Sequence, residues 1–317
     1  MINKFAKITL ALVATIGIAN AQTLVEGVKS IHSTLKESPL NFKLTITSDT
    51  ARSGDVNKNY VSSMSTLYTP YLSYNINNNH TVGVFSEVKH RRDYSRPHEN
   101  FYTTDLVDIS LRYDNTIFKN ASWSITSSNR LLARTTDESK SMNGDNGYID
   151  LRFYADKIIS DTFKIKNELR LFVFDEEVEH VQNSTRDKSY QYYLTPSLAL
   201  NKDFTFDLQF YNESMSYKKA ATLSYDYIQV APTLTYQINK DWNTYGKVAR
   251  KIFNSHDGEV IAPANATAEF GFNYIPSRDF DFYIFVSSPI IDQEKKLNRS
   301  YVNNNYYVEV NVNIVAF

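Results

Sequence analysis

The chain has 317 residues, with 34 Lys and Arg against 35 Asp and Glu for a formal net charge of −1, and it carries 23 Tyr, 19 Phe and no Cys. Near-neutral charge excludes an electrostatic grip on nucleic acid, and the missing Cys excludes a disulfide framework. Mean hydropathy is −0.41, and beyond the N-terminus no apolar run reaches the roughly 18 residues of a membrane-crossing helix, so helical spans are excluded as well.

In chain order, residues 1–21 read as a secretory signal peptide, with Lys4 and Lys7, an apolar stretch from Ile8 to Ala19, and the small-residue cleavage pattern Ala19-Asn20-Ala21. That stretch is too short to anchor the chain, and no Cys follows it to take a lipid. Its removal leaves 32 basic against 35 acidic residues, a net charge of about −3. In the next segment, 22–39, Leu24, Val28, Ile31 and Leu35 fall at helical spacing. An N-terminal periplasmic tail or short helix is expected there, leading into the first strand or plugging a lumen.

From residue 40 to 317 one pattern recurs. Short polar turns stand at Asn77-Asn78-Asn79, Asp114-Asn115-Thr116, Ser160-Asp161-Thr162, Asn201-Lys202-Asp203, Asn239-Lys240-Asp241 and Ser277-Arg278-Asp279, roughly 37 to 46 residues apart. Four are followed at once by Phe163, Phe204, Trp242 or Phe280. Each is flanked by runs that alternate apolar and polar with period two, the mark of a β-hairpin. Fourteen strands are expected, at 41–47, 64–76, 81–90, 102–113, 121–134, 148–156, 163–174, 190–200, 204–212, 225–238, 242–252, 264–274, 280–286 and 306–317. The connections opposite the turns are longer and polar, as at 91–100, 135–147, 175–188 and 287–300.

Within strands the faces separate: Ile149, Leu151, Phe153 and Ala155 alternate with Asp150, Arg152, Tyr154 and Asp156. A soluble sandwich would alternate in the same way, with the apolar face inward. Export, an even strand number and the absence of a linker dividing two cores favour one closed transmembrane antiparallel up-and-down barrel of about 14 strands. Closure is demanded because hydrocarbon offers the backbone no hydrogen-bond partner. Short turns would then face the periplasm and long loops the medium, with the aromatics after the turns in the periplasmic girdle. The chain ends Val312-Asn313-Ile314-Val315-Ala316-Phe317, and the parity of Phe317 differs from that of Val312 and Ile314, so a bulge near Val315 is expected.

With its signal peptide, fourteen inferred strands, terminal Phe317 and turns such as Asn201-Lys202-Asp203-Phe204 and Asn239-Lys240-Asp241-Trp242, the mature chain resembles the monomeric bacterial outer-membrane porins of the OmpG type. The oligogalacturonate porins of the KdgM type are near in character. The resemblance implies a passive, water-filled channel of Gram-negative bacteria without cofactors. It also implies contact with outer-membrane lipid and lipopolysaccharide, and recognition of Phe317 by the barrel-assembly machinery.

If the apolar face meets lipid, parity places Arg112, Arg130, Arg134, Arg152, Lys164, Lys166 and Arg170 on the lumen wall, with Glu87, Asp108, Asp150, Asp156 and Glu168 among them. Later strands contribute Asp207, Glu213, Glu269, Asp281 and Glu309 against Lys247 and Lys251. One wall is relatively basic and the other relatively acidic, so a transverse field is expected, strongest near Arg130, Arg152 and Arg170 and favouring anionic solutes or acidic oligosaccharides. Guanidinium suits that task because it stays charged and grips carboxylates with two hydrogen bonds. The same charges could instead neutralise one another across strands. Tyr154, Tyr193, Tyr211 and Tyr283 would share this wet face.

Catalysis is not expected. The His-x-Ser pattern of outer-membrane phospholipases is absent, and so are metal-ligand spacings such as His-Glu-x-x-His. Acidic loop residues near His98 and His180, including Glu99, Asp175, Glu176, Glu177 and Glu179, leave open a barrel-anchored surface enzyme or adhesin acting through its loops.

Overall fold

The computed structural model describes residues 39–55, 58–93, 101–136, 145–175, 186–217, 224–256, 259–260, 266–291 and 306–315. The signal peptide, residues 22–38, Phe317, His98 and His180 lie outside them. The strands are β1 (Leu40–Asp55), β2 (Lys58–Asn77), β3 (His80–Asp93), β4 (Phe101–Lys119), β5 (Trp123–Arg134), β6 (Gly147–Ile158), β7 (Phe163–Phe174) and β8 (Arg186–Ala199). They continue as β9 (Phe204–Tyr217), β10 (Tyr225–Gln237), β11 (Trp242–His256), β12 (Glu259–Val260), β13 (Ala266–Tyr274), β14 (Phe280–Ile291) and β15 (Tyr306–Val315). The two-residue β12 pairs with the end of β11 alone. The other fourteen each pair antiparallel with their neighbours, and β15 pairs with β1 while β10 pairs with β11, so the sheet closes.

The expected strand number is therefore met, with corrected boundaries. β1 and β2 run on to Asp55 and from Lys58, so only residues 56–57 separate them where a long loop was expected. The expected turn at Asp114-Asn115-Thr116 is strand: Asp114 pairs with Ser128 and Asn115 with Ser127. Its carboxylate is taken by Arg112, and the apolar Ile117 and Phe118 carry β4 onward to Lys119. The chain turns instead at Asn120-Ala121-Ser122. No register shift interrupts β15 as far as Val315 on β1 and Ile314 on β14, so the expected bulge is not found within the described residues.

With the turn moved, a stricter local rule emerges. Asn120 Oδ1 accepts from the amides of Ser122 (2.9 Å) and Trp123 (2.7 Å). Asn201 does the same for Asp203 and Phe204, and Asn239 for Asp241 and Trp242. Ser160 Oγ serves Thr162 and Phe163, and Ser277 Oγ serves Asp279. Each is a side chain standing in for a backbone turn partner, with an aromatic three residues later. Those aromatics face outward at one rim and stack across strands: Phe204 on Tyr236 (4.8 Å between centroids) and Trp242 on Tyr274 (4.4 Å). Asn201→Ala, which removes two such acceptors at an exposed turn, is expected to cost about 1 kcal/mol in detergent unfolding.

Burial is inverted relative to a soluble protein. Leu131, Val173 and Phe270 are 54, 56 and 52% exposed, while Ser110 and Asp150 are 0% exposed and Glu213 is 9% exposed. Register explains why: Leu131 pairs with Ile149 and Ile149 with Val173 on the outer face, while Arg130 pairs with Asp150 and Asp150 with Phe172 on the inner one. Twelve-residue strands such as β6 and β7, at about 3.3 Å per residue and a tilt near 45°, rise about 28 Å, enough for an apolar band of about 25 Å. This is a transmembrane β-barrel of the outer-membrane kind.

Candidate functional site in the barrel lumen

Hairpin register builds the site. Arg112 on β4 stands opposite Arg130 on β5, Arg130 opposite Asp150 on β6, and Arg152 opposite Arg170 on β7. Four consecutive strands thus carry an arginine ladder on the inner face. The same face continues through Tyr193 and Tyr211, stacked 4.4 Å apart, to Tyr227 and the Lys251 ammonium 3.8 Å from its ring centroid. Rings also lie beside the ladder's ends, Tyr71 at 5.4 Å from the Arg112 guanidinium and Tyr193 at 5.1 Å from that of Arg170.

Most of these guanidiniums are compensated along their own strand. Arg112 Nε donates to Asp114 (2.8 Å), Arg152 Nε to Asp150 (2.6 Å), and Arg170 Nε to Glu168. In a strand, residues two apart share a face, so each pair was written in sequence as carboxylate-x-Arg or Arg-x-carboxylate. The structure thus places these charges on one wall, and the pairing it shows runs along a strand where the alternative had been neutralisation across strands.

Across the lumen the carboxylates are held by phenols. Glu213 accepts from Tyr211, Tyr225 (2.9 Å) and Tyr227 (2.6 Å). Glu309 accepts from Tyr283 and from Tyr307 (2.6 Å), and Glu269 from Tyr245 (2.8 Å) with Lys247 Nζ at 3.6 Å. Asp281 accepts from Asn313 (2.6 Å) within an amide network that reaches Thr45 and, through Asn311, Thr47. A Tyr hydroxyl donates without bringing a positive charge, so Glu213 and Glu309 are oriented but not cancelled, whereas Glu269 also has Lys247. Lys164 and Lys166 stand toward the turn rim of β7, and Asp207 opposite Ser197 on β8.

Tyr245 can lie flat on the wall because its partner across the ladder is Gly271, where an added Cβ would come within 2.4 Å of the ring. The Tyr71 ring likewise lies over Gly83, here the diagonal neighbour, since Tyr71 pairs with Phe85. Gly271→Ala is expected to lift the Tyr245 ring into the lumen, break its bond to Glu269 and lower single-channel conductance while the barrel still folds.

Arg134 borders the lumen too, but it is tied into a clamp. Its side chain is 5% exposed and holds two carboxylates, Asp145 through Nε (2.6 Å) and Nη2 (3.3 Å) and Asp108 through Nη1 (3.0 Å). Asp145 is wholly buried, with Arg186 Nη1 at 3.8 Å as a further partner. Arg134 lies over Tyr148 and Arg186 over Phe174, each guanidinium 5.6 Å from the ring centroid. Backbone bonds from Arg134 N to Asn146 O and from Asn146 N to Asp175 O tie the approach to β6 to the ends of β5 and β7. Asp145 and Arg186 were not singled out from sequence, since period-two parity says nothing of residues in connections, where Asp145 lies and where Arg186, the first residue of β8, was expected to lie. The clamp borders an open cavity of about 500 Å³ on the loop side, whose wall includes Asp49, Lys89, Arg134, Arg186 and Glu213.

No family model and no curated protein matches the chain. Among solved structures it is similar to a bacterial polysaccharide outer membrane secretin, with TM-score 0.49 and 10% identity over 86% of this chain and 97% of that one. An outer membrane channel from Pseudomonas putida F1 has TM-score 0.47 and 10% identity over 87% and 95%. The KdgM porin has TM-score 0.38 and 11% identity over 84% and 98%.

Proposed function

We propose that this protein is a passive channel of the bacterial outer membrane, exported by residues 1–21 and conducting small hydrophilic solutes with a preference for anions. The observation that carries the reading is the inversion of burial: apolar side chains ring the outside, while ionic and phenolic groups line the inside. Such a wall satisfies its backbone internally and offers lipid a greasy face and water a polar one. Preference for anions rests on the ladder Arg112, Arg130, Arg152 and Arg170, whose four guanidiniums exceed the three carboxylates Asp114, Asp150 and Glu168 paired with them, on a wall opposite Glu269 and Glu309. A focused potential of this kind raises the local concentration of the counter-ion.

In planar lipid bilayers the purified protein is expected to give discrete ohmic steps. A salt gradient should report anion preference, and the double change Arg130→Glu, Arg152→Glu should carry the reversal potential toward cations. A sealed bilayer from well-folded protein would overturn the channel, and a surface activity retained by that sealed barrel would place function in the loops instead.

A further inference from the structure

The wet face of the wall is broken at one place. On the inner faces of β6 and β7, Tyr148, Phe172 and Phe174 form a ring cluster, with centroids 5.7 Å (Tyr148 to Phe172), 5.6 Å (Tyr148 to Phe174) and 6.2 Å (Phe172 to Phe174) apart. Register carries this apolar patch further, to Leu132 opposite Tyr148 and, across Ser189, to Met215 in line with Phe172. Phe174, Leu132 and Met215 are buried, whereas Tyr148 and Phe172 are half-buried. Guanidiniums lie over two of the three rings, Arg134 on Tyr148 and Arg186 on Phe174. Among the described residues no cation covers Phe172.

All three rings border the cavity of about 500 Å³, and so do Thr47 and Leu67 on β1 and β2. β1 and β8 stand seven steps apart in a ring of fourteen strands, so the cavity spans the bore and lies in the path of a solute. Its charges do not balance. Arg134 and Arg186 are taken by Asp108 and Asp145, which leaves Asp49, Glu87 and Glu213 against Lys89. Glu87 stands directly opposite Asp108, but Arg134 binds Asp108, and Glu87 has no hydrogen bond or ion pair among the described residues. Lys89, Arg130 and Arg134 act on it only at longer range.

An apolar surface open to a cavity, beside a charge with no partner, suits an amphiphilic solute: the ring supplies affinity and the polar group fixes orientation. We propose that this chamber binds solutes that join an aromatic ring to an amine, the ring against Phe172 and the ammonium toward Glu87. The proposal goes beyond the channel reading, because the chamber holds such a solute whether or not the barrel conducts. A ring set against Phe172 removes apolar surface of both partners from water and adds an aromatic contact. The face of Phe172 also attracts a cation directly. Asp49 and Glu213 add negative potential to the chamber, and the phenols that hold Glu213 bring no positive charge to it. The ladder takes no part: on β7, Arg170 lies two residues nearer the turn rim than Phe172 and is held by Glu168.

The test measures binding, by titration calorimetry on the full-length barrel in lipid nanodiscs, with the heats of empty discs subtracted. Three probes are compared: 2-phenylethylammonium, ethylammonium, which lacks the ring, and phenylacetate, which inverts the charge. 2-Phenylethylammonium is expected to bind about tenfold tighter than either, the worth of one ring contact or one charge. Phe172→Ala should weaken it about tenfold and leave ethylammonium within about twofold. Glu87→Gln should weaken both ammonium probes severalfold and spare phenylacetate. Phe172→Leu, which stays apolar but has no ring, should lose part of the affinity, and it serves if Phe172→Ala fails to fold. Leu171→Ala, one residue away on the lipid face, should change nothing. The site is overturned if ring and charge make no difference among the probes, or if Phe172→Ala and Phe172→Leu bind as the unaltered chain does. It is overturned likewise if Glu87→Gln weakens phenylacetate as much as the ammonium probes. Conductance is recorded separately, so a sealed barrel that binds defeats the channel reading alone, and a conducting barrel that does not bind defeats only this inference.

Discussion

Arg134→Ala is expected to cost about 3–5 kcal/mol of folding free energy, because it strips a buried carboxylate of its main partner and leaves the charge in place. Among the described residues Asp145 would keep Arg186, at 3.8 Å, and Asp108 would lose its 3.0 Å contact. Guanidinium unfolding in detergent micelles, followed by Trp fluorescence, measures the loss. The cause is charge and not lost packing, so Arg134→Met combined with Asp108→Asn and Asp145→Asn should recover most of it; a triple variant no better than Arg134→Ala would contradict that account. Gly147 sharpens the same expectation: its φ is +153°, and an added Cβ would lie 2.1 Å from the Leu132 carbonyl oxygen. Only glycine lets the chain leave Asp145 and enter β6 at this point.

Leu171→Arg should cost about 2–4 kcal/mol, the range for a cation placed on the lipid face at mid-membrane. Thr195→Arg, on β8, which pairs with β7, should stay within about 1 kcal/mol, because Thr195 pairs with the inward Lys166 and faces water. The comparison isolates orientation, since both changes introduce the same guanidinium into adjoining strands. Equal costs on the two faces would mean that the outer surface does not meet hydrocarbon. Larger cost at Thr195 would mean that the barrel is inside out relative to this account.

Much of this architecture was legible in the residue pattern. Alternation with period two assigns every strand residue to one of two faces, so the basic residues expected on the lumen wall, and Asp207, Glu269, Asp281 and Glu309, stand on the inner face once the sheet closes. Turn residues that accept their own downstream amides were legible as well, except at β4 to β5. There Asp114-Asn115-Thr116 has turn composition, but the better signal was Asn120-Ala121-Ser122-Trp123, which repeats the spacing from Asn201 to Phe204. Composition alone could not separate them, because a polar triplet inside a barrel strand is ordinary when half its residues face water.

Sequence by itself thus determined the number of strands, their faces and which charges share the lumen, because these follow from backbone geometry that repeats every two residues. Only the tertiary structure decided which charges cancel beyond those same-strand pairs. Arg134 was placed by parity beside Arg130 and Arg152, yet it is consumed by Asp145, a residue of a connection where parity has no meaning, while the Asp150 that stands opposite Arg130 is hydrogen-bonded to Arg152. Pairing across strands depends on register and on where a loop re-enters the wall. Those are set by closure of the whole sheet, which no local stretch of the chain contains.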